Sequence, residues 1–403
     1  MELFFLTKSV SYVKNTLYGS RNMIIESAKE EEIEKNQINS DRIYIGTPFG
    51  TMMIQKALND LKLDSQVKLV NEPDKSNILK IGPYNLTCKD DMKPSLQPLI
   101  DKKKDTIKIL FINGFGAGIG DNLIALSALR IYKRYLKQFF RNVEFHIFNE
   151  DLELMELYYR QENLIKSILP QPTNVTTFFT FDAYVDLGGM IQWKEFNDRP
   201  MIDSYLNTFG VDAQLIPDFE KRITLVDNCY SDIYNILKGF KIGKKILLFQ
   251  YKSSSLSRSI PEDIALQMLD TLCNNTDYTV ISVTKTPFVH KNFFDLSEYS
   301  KNIFDYITIV SFADKIITVD TGTYHIADYF NIPTAVLFTT INPEYRVKYY
   351  PFTKGYAVSQ KLLNMDFKDV ADKHRTDSQD ILDIVKDAFS SVNIHEILED
   401  LGW

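Results

Sequence analysis

The stretch KIITVDTGTYHIADYFNIPTAVLF, residues 315–338, decides the fold class, because it reads as a buried strand, a polar turn, a helix and a second buried strand. In open α/β sheets, ligands bind at the carboxyl ends of the strands. Helix N-termini bind phosphate through their unpaired N–H groups and the helix dipole. The stretch therefore predicts a diphosphate-binding turn in an α/β domain. Its candidate binding residues are Asp320, Thr321, Gly322, Thr323 and His325.

Strand and helix patterns alternate on both sides of a junction near residues 235–243. The earlier series includes the strand IKILFI (107–112) and helices at 121–138 and 151–167. The later series begins with the strand KKILLFQ (244–250). Such alternation is typical of parallel sheets covered by helices. We therefore expect two α/β units in tandem.

A glycine-rich turn, NGFGAGIGD (113–121), follows the first strand of the earlier series. It does not match the dinucleotide fingerprint, because Ile119 or Asp121 stands where the third glycine is required. The P-loop pattern also fails, since no Gly-Lys-Ser/Thr follows. An NAD-dependent oxidoreductase is thereby disfavoured. The local sequence predicts a tight turn with Asp121 near the start of a helix, where a carboxylate can cap N–H groups.

A hydroxyl-rich loop within LLFQYKSSSLSRSIPED (247–263) follows the first strand of the later series. Lys252 and Arg258 give it two cations at the carboxyl end of a strand, where they could neutralise a diphosphate. Ser253 adds a hydroxyl donor, and Pro261 is suited to open the next helix.

Composition excludes several classes of protein. The 403 residues are 44% hydrophobic and 25% charged, with a formal net charge of −7, which disfavours nucleic-acid binding. The three cysteines are widely spaced and the five histidines form no HExxH pair, so neither a disulfide framework nor a zinc site is expected. The sequence also contains no stretch of the ~18 apolar residues that a membrane-spanning helix requires. We expect a cytoplasmic location.

Three motifs resemble glycosyltransferase family 9, the ADP-heptose heptosyltransferases. The family's early turn reads G-G-x-G-D before a helix with an A-L pair, and this chain has GAGIGDNLIALSAL (116–129). The family's late D-T-G-x-x-H-x-A string and P-T-x-x-x-F strand correspond to 320–327 and 333–338. A K/R-x-W-P motif lies between them in the family. Here it reads RSIP (258–261), with Ile260 in place of tryptophan.

The resemblance implies the GT-B fold, with two Rossmann-like domains facing a cleft, to which we add an N-terminal α+β extension. The expected domains are the extension at 1–105, an acceptor-side domain at 106–240, a nucleotide-sugar donor-binding domain at 241–375, and a C-terminal helical segment at 376–403 that packs back across the domains.

The resemblance implies an inverting, metal-independent transfer of a sugar from a nucleotide diphosphate sugar to a hydroxyl. The first choice of donor is ADP-heptose, which supplies heptose. Asp121 matches the family's proposed base and Arg258 its phosphate-binding cation. The predicted donor-binding residues are Lys252, Ser253, Arg258, Asp320, Thr321, Gly322, Thr323 and His325. Gly118, Gly120 and Asn122 form the predicted acceptor-side loop, whose glycines let substrate approach the carboxylate. No cofactor and no metal are expected.

Several alternatives stay open at this stage. The donor could be a UDP- or GDP-sugar, and the acceptor a glycan, a lipid-linked glycan or a protein. A degenerate GT-B domain that only binds or assembles is the non-enzymatic alternative. Contact with a membrane surface and homo-oligomerisation are also open. Protein-modifying relatives hold iron with a cysteine cluster near the C-terminal helix, whereas residues 355–403 contain no cysteine.

Overall fold

The structure is a computed structural model of the 403-residue chain. It describes residues 3–6, 43–46, 68–71, 83–88, 93–112, 115–116, 118–148, 154, 157–158, 160–161, 163–169, 173–174, 180–187, 199–225, 229–363 and 378–402. The chain divides into two compact units. The first comprises Met1–Phe115, Leu129–Met190 and Leu206–Ala213, and the second comprises Gly116–Ala128, Ile191–Tyr205 and Gln214–Trp403.

The strands of the described residues fall into three sheets. Their bounds are β1 Leu3–Leu6, β2 Ile43–Gly46, β3 Lys68–Asn71, β4 Tyr84–Asn85, β5 Thr106–Ile112, β6 Asn142–Phe148, β7 Ile165–Leu169, β8 Thr173–Asn174, β9 Ala183–Asp186, β10 Ile246–Gln250, β11 Thr279–Ser282, β12 Phe293–Asp295, β13 Lys315–Val319, β14 Thr334–Phe338 and β15 Thr353–Ala357.

The helices of the described residues lie mainly in the second unit. Their bounds are α1 Gln97–Ile100, α2 Ile119–Leu136, α3 Met201–Thr208, α4 Tyr234–Lys241, α5 Glu262–Asn275, α6 Ile303–Ser311, α7 Gly322–Phe330, α8 Pro343–Val347, α9 Gln360–Leu363, α10 Gln379–Ser390 and α11 Ile394–Asp400.

The first unit contains a parallel sheet with the strand order β4-β9-β5-β6-β7. Leu110 and Phe111 of the central strand β5 are fully buried, as expected for a strand that is covered on both faces. A second sheet has the order β3-β2-β1-β8, in which β1, β2 and β3 run parallel and β8 pairs antiparallel with β1.

The second unit contains a parallel sheet with the order β12-β11-β10-β13-β14-β15. All five residues of β10 and of β14 are buried, and all of them are apolar except Gln250 and Thr334, as expected for strands covered on both faces. Helix α5 packs its buried Leu269 and Met268 against the core that β10 and β13 share. Because neighbouring strands are parallel, their carboxyl ends lie at one edge of the sheet.

The C-terminal helices α10 and α11 complete the core of the second unit. Val385 and Phe389 of α10, with Ile397 and Leu398 of α11, are buried in the same apolar cluster as α5. The segment therefore packs within the second unit. Its packing across domains stays a prediction.

The expectation of α/β architecture with parallel sheets is confirmed. The helix expected at 151–167 is wrong at its end, because Ile165–Leu169 pairs with β6 as the strand β7. Strand β4 lies within the predicted N-terminal extension, yet it pairs with β9 in the parallel sheet of the first unit. The helical spacing of TMMIQKALNDLKL (51–63) predicts a helix that lies outside the described residues. The boundaries of the four expected domains stay predictions. None of the helices in the described part of the chain is long and apolar enough to cross a membrane.

Core packing in the second unit predicts the effect of a single truncation. Leu269 is fully buried on α5, so Leu269→Ala removes apolar contacts and leaves a cavity. We expect the free energy of unfolding to fall by about 2–5 kcal/mol, measured by urea denaturation. Gln267 is exposed on the same helix, and Gln267→Ala should change stability by less than ~0.5 kcal/mol. Equal effects of the two substitutions would contradict this packing.

Candidate functional site

Three adjacent strands of the second unit end at the candidate site. Strand β10 leads into the loop that carries Arg258, and β13 leads directly to Asp320. Strand β14 leads through a short connection to α8, which carries Arg346. Since β10, β13 and β14 are hydrogen-bonded neighbours, these three side chains are delivered to the same sheet edge.

Asp320 and Arg258 form the best-defined ion pair of the site. The Arg258 Nη1 atom donates to Asp320 Oδ2 at 3.1 Å, and the Tyr324 hydroxyl donates to Asp320 Oδ1 at 3.2 Å. Burial alone would raise the pKa of Asp320. The guanidiniums of Arg258 and Arg346 outweigh burial and hold that pKa below the usual range. Asp320 is therefore ionised near neutral pH.

The hydroxyl-rich loop holds Arg258 in position. The Ser253 hydroxyl donates to the backbone carbonyl of Asp320 at 3.0 Å, and Arg258 Nη2 donates to the Ser254 hydroxyl at 3.0 Å. The Ser259 hydroxyl accepts a hydrogen bond from the Ser253 N–H at 2.9 Å. Ser253 thus ties the loop to the end of β13. Lys252 is exposed, with its Nζ atom 5.6 Å from the centre of the Tyr251 ring.

Thr321 and Thr323 have different roles in the turn at the start of α7. Thr321 is the N-cap, and its hydroxyl accepts a hydrogen bond from the Thr323 N–H at 3.2 Å. The Thr323 hydroxyl is fully buried and pairs with the hydroxyls of Thr321 and Tyr306. The Thr323 hydroxyl therefore lies inside the protein and holds the turn together, and contact of Thr323 with a donor stays a prediction.

His325 is a buried, neutral imidazole. Its Nδ1 atom lies 2.7 Å from the Tyr350 hydroxyl, and only 6% of the residue is exposed. Burial lowers the pKa of His325 to about 3, although the nearby Asp320 acts in the opposite direction. His325 therefore carries no positive charge at neutral pH, and any contact it makes with a phosphate or sugar is a hydrogen bond from a neutral ring.

Asp121 lies in the first turn of α2, where the preceding glycines make room for it. Gly116 has φ +95°, and a Cβ there would lie 2.6 Å from Asp121 Oδ2. A Cβ on Gly118 would lie 3.3 Å from the same oxygen. The Asn122 side-chain amide donates to the carbonyls of Gly116 and Gly118 at 3.2 and 2.8 Å, which fixes the turn. Asn122 is 1% exposed, and its predicted place in the acceptor-side loop stays a prediction.

The glycine-rich turn and the turn at α7 lie against each other within the second unit. A Cβ on Gly120 would lie 2.6 Å from His325 Cδ2, and a Cβ on Gly322 would lie 2.2 Å from Ile119 Cγ2 and 3.5 Å from the Gly120 nitrogen. The sequence prediction assigned the early glycines to substrate approach. The structure shows that Gly116 and Gly120 accommodate the protein's own Asp121 and His325 side chains, and the approach of substrate to this loop stays a prediction.

Arg346 is a residue of the site that sequence reasoning missed. It lies in α8 after the N-cap Asn342, and it acts electrostatically on Asp121, Asp320 and His325. The available signal was the segment INPEYR (341–346), which follows Thr339 and Thr340 after the buried strand that ends at Phe338. A cation following a strand end adjacent to β13 is a candidate for the same sheet edge.

The resulting cluster contains two carboxylates and two guanidiniums. Burial raises the pKa of Asp121, and Arg346 and Arg258 only partly oppose that effect. Asp121 is half-buried, so its carboxyl group can still meet a ligand. A carboxyl with a raised pKa beside two cations can accept a proton while an anion is held nearby. The described residues contain no group of three or more His, Cys, Asp or Glu side chains placed to hold a metal ion.

Comparison with known proteins gives distant likenesses. No family model matches the chain. The F-box protein At5g07610 of Arabidopsis thaliana is 23% identical over 130 residues, which are 30% of this chain and 31% of that protein. The chain thus matches less than a third of that relative's length.

Two solved structures that resemble the chain are bacterial glycosyltransferases. The ADP-heptose lipopolysaccharide heptosyltransferase II of E. coli is 11% identical, with a TM-score of 0.46, covering 70% of this chain and 98% of that one. The iron-containing dodecameric glycosyltransferase TibC of enterotoxigenic E. coli is 14% identical, with a TM-score of 0.47, covering 73% and 75%. At this distance the likenesses do not by themselves assign an activity.

The contact between the two turns predicts effects of different size for alanine substitution at Gly118 and Gly120. Alanine normally stabilises a helix by up to ~1 kcal/mol relative to glycine, but in Gly120→Ala the new methyl group would overlap the buried His325 ring. We expect Gly120→Ala to lower the free energy of unfolding by about 1–3 kcal/mol. Gly118→Ala, whose methyl group meets only an oxygen at 3.3 Å, should change it by less than ~1 kcal/mol. Chemical denaturation measures both, and a stabilised Gly120→Ala protein would contradict the contact.

Proposed function

We propose that the chain is a GT-B glycosyltransferase that moves a sugar from a nucleotide diphosphate sugar to an acceptor hydroxyl with inversion. The observation that carries the proposal is the convergence of Arg258, Arg346, the start of α7 and the Asp121 carboxyl at one sheet edge. Two cations and a helix N-terminus suit a diphosphate, and a nearby carboxyl suits the proton that the acceptor must lose.

The leaving diphosphate requires positive charge and N–H donors. Arg258 and Arg346 supply the charge, and the first turn of α7 supplies backbone N–H groups with its dipole. Arg258 is already oriented by Asp320 and Ser254, so its side chain loses little freedom when an anion binds. Asp320, ionised and held by Arg258 and Tyr324, can accept a hydrogen bond from a sugar hydroxyl.

The transfer step follows from these positions. The acceptor oxygen forms a bond to the anomeric carbon while the bond between that carbon and the diphosphate oxygen breaks. The nucleoside diphosphate leaves with the bonding electron pair, and the proton of the acceptor hydroxyl passes to the Asp121 carboxylate. Attack opposite the leaving group inverts the anomeric configuration. No cofactor is required in this scheme, and metal independence is part of the proposal.

ADP-heptose is the proposed donor. This choice rests on the three sequence motifs, within 116–129, 258–261 and 320–338, that resemble those of family 9. A UDP- or GDP-sugar donor remains the alternative. The acceptor is a hydroxyl of a glycan, a lipid-linked glycan or a protein. We place the reaction in the cytoplasm, where nucleotide sugars are the substrates.

Removal of either guanidinium tests the diphosphate site. Arg258→Met and Arg346→Met should each weaken ADP binding about tenfold or more, because a charge-assisted contact to phosphate is lost. Lys285 is 81% exposed, and Lys285→Met should leave the affinity within about twofold. Isothermal titration calorimetry of ADP in buffer containing EDTA measures all three. Unchanged affinity in both arginine variants would overturn the assignment.

A panel of nucleotide sugars tests the donor. A ligand that binds only the folded protein raises the melting temperature by mass action. We expect ADP and ADP-heptose to raise it more than UDP- and GDP-sugars at equal concentration. Selective stabilisation by a UDP- or GDP-sugar would retain the reaction class and discard ADP-heptose. Failure of every nucleotide to bind well-folded protein would favour a degenerate binding module.

The raised pKa of Asp121 predicts how kcat/KM falls on the acid side of its pH profile. The base must be ionised to accept a proton, so kcat/KM should fall as pH drops through a pKa above the usual aspartate range. A bound diphosphate adds negative charge and disfavours ionisation further, so the limb in kcat should lie at higher pH than the limb in kcat/KM.

Asp121→Asn is the matched control for that profile. It should lower kcat about 10²–10⁴-fold and abolish the acid limb, while ADP affinity stays within about threefold. A variant that retains full turnover would show that Asp121 is not the base.

A further inference from the structure

A short segment of the second unit, residues 221–224, contacts the helices that carry the candidate site. We call it the linking segment. The Arg222 guanidinium pairs with the fully buried Asp328 side chain of α7 at 2.9 Å. The Thr224 N–H donates to the Ser127 hydroxyl of α2 at 3.1 Å. Helix α2 carries the proposed base and α7 begins at the proposed phosphate-binding turn, so the linking segment joins the two helices on which the proposed transfer depends.

Lys221, the first residue of the linking segment, is a buried cation in a closed triangle of contacts. Its Nζ atom lies 3.0 Å from Asp203 Oδ1 and donates to the Tyr349 hydroxyl at 2.9 Å. The Tyr349 hydroxyl donates to Asp203 Oδ2 at 2.6 Å. All three residues are buried. A buried charge is costly unless it is paired and hydrogen-bonded, so each of these side chains depends on the other two.

The Tyr349 hydroxyl connects this triangle to α8. Burial raises the pKa of Tyr349, and the hydrogen bond to Asp203 raises it further, so the hydroxyl keeps its proton and remains the donor to Asp203. Tyr349 follows Arg346 by three residues, which places the two about one helical turn apart. The next residue, Tyr350, has its hydroxyl 2.7 Å from His325 Nδ1. Two consecutive tyrosines therefore anchor the chain just after Arg346.

Helix α8 is too short to fix Arg346 by itself. Its five residues, Pro343–Val347, include no buried residue, and isolated helices this short are marginal in water. The start of α8 packs against β15, where a Cβ on Gly355 would lie 2.6 Å from Pro343 Cβ. The end of α8 is held by the two tyrosines. The position of Arg346 therefore depends on anchors outside its own helix.

We propose that Lys221, Asp203 and Tyr349 are positioning residues that hold Arg346 where it meets the leaving diphosphate, a role that rests on the proposed function. None of the three needs to touch the substrate. A guanidinium that is fixed before the anion arrives loses little freedom when it binds. A guanidinium that shifts by about 1 Å loses much of its contact with phosphate, because that contact depends on geometry.

Tyr349→Phe tests this role with the smallest change. It removes the hydroxyl but keeps the ring, whose centre lies 4.4 Å from Lys221 Nζ, and the ion pair between Lys221 and Asp203. We expect it to weaken ADP binding to the full chain about fivefold, because Arg346 is no longer held in place. Isothermal titration calorimetry in buffer containing EDTA measures the affinity. UDP or GDP replaces ADP as the probe if the nucleotide panel selects either of them.

Two backgrounds show whether the effect passes through Arg346. In Arg346→Met, which has no guanidinium to position, Tyr349→Phe should change ADP affinity by less than about twofold. In Arg258→Met, which retains Arg346, the same change should still weaken binding about fivefold. A general loosening of the site would instead weaken binding in both backgrounds alike.

Tyr356→Phe is the matched control, because the Tyr356 hydroxyl donates to Asp400 Oδ2 of α11 at 2.7 Å and not to a residue near α8. It should leave ADP affinity within about twofold of wild type. A melting temperature measured for each variant shows that it is folded.

Three results would overturn this role and leave the diphosphate site intact. They are unchanged ADP affinity in Tyr349→Phe, equal weakening by Tyr349→Phe in the wild-type and Arg346→Met backgrounds, and equal weakening by Tyr356→Phe. Failure of ADP, UDP and GDP to bind the folded wild-type protein would overturn the proposed function, and this role with it.

Discussion

The close approach of two glycine-containing turns is the constraint on which the rest of the site depends. Gly322 opens α7 and Gly120 lies in the first turn of α2, and a Cβ on Gly322 would lie 3.5 Å from the Gly120 nitrogen. Any side chain at these positions would separate the two helix starts. Because they touch, Asp121 on one helix comes within electrostatic reach of the cations around Asp320 at the start of the other. The glycines thus serve the protein's own packing.

The cluster contains two carboxyl groups and two guanidiniums, but the two carboxyl groups lie in different surroundings. Asp320 is buried and directly paired with Arg258, so its pKa falls. Asp121 accepts a long hydrogen bond, 3.4 Å, from the Gly118 N–H, and burial raises its pKa. Asp320 therefore stays ionised, whereas Asp121 is able to exchange a proton. Such separation of titration behaviour is typical of acid–base sites. The neutral ring of His325 packs against Gly120, where the two turns meet.

Much of the second unit could be predicted from local sequence. The apolar runs at 246–250 and 315–319 are strands, and the polar turn after the second run starts α7. The pattern of apolar residues identified these elements. The strands are buried on both faces and therefore read as apolar runs, and the helix is buried along one stripe and therefore shows helical spacing. The end of the helix expected at 151–167 was wrong, since pairing of β7 with β6 overrides local helical spacing.

The side-chain contacts of the site were beyond local sequence. Arg346 follows a different strand from Asp320, and only the adjacency of β13 and β14 brings the two together. The inward direction of the Thr323 hydroxyl depends on Tyr306 from another helix. The neutrality of His325 follows from burial against Tyr350, 25 residues away in sequence. Each is a tertiary effect for which a motif carries no signal.

A crystal structure of the protein with ADP tests the central claim most directly. The account predicts that the β-phosphate lies against the start of α7, with oxygens within hydrogen-bonding distance of the Arg258 and Arg346 guanidiniums. The Asp121 carboxyl should face the open side of that phosphate, where a sugar and an acceptor would lie. Density for ADP at another surface, with Arg258 and Arg346 making no contact to phosphate, would contradict the account.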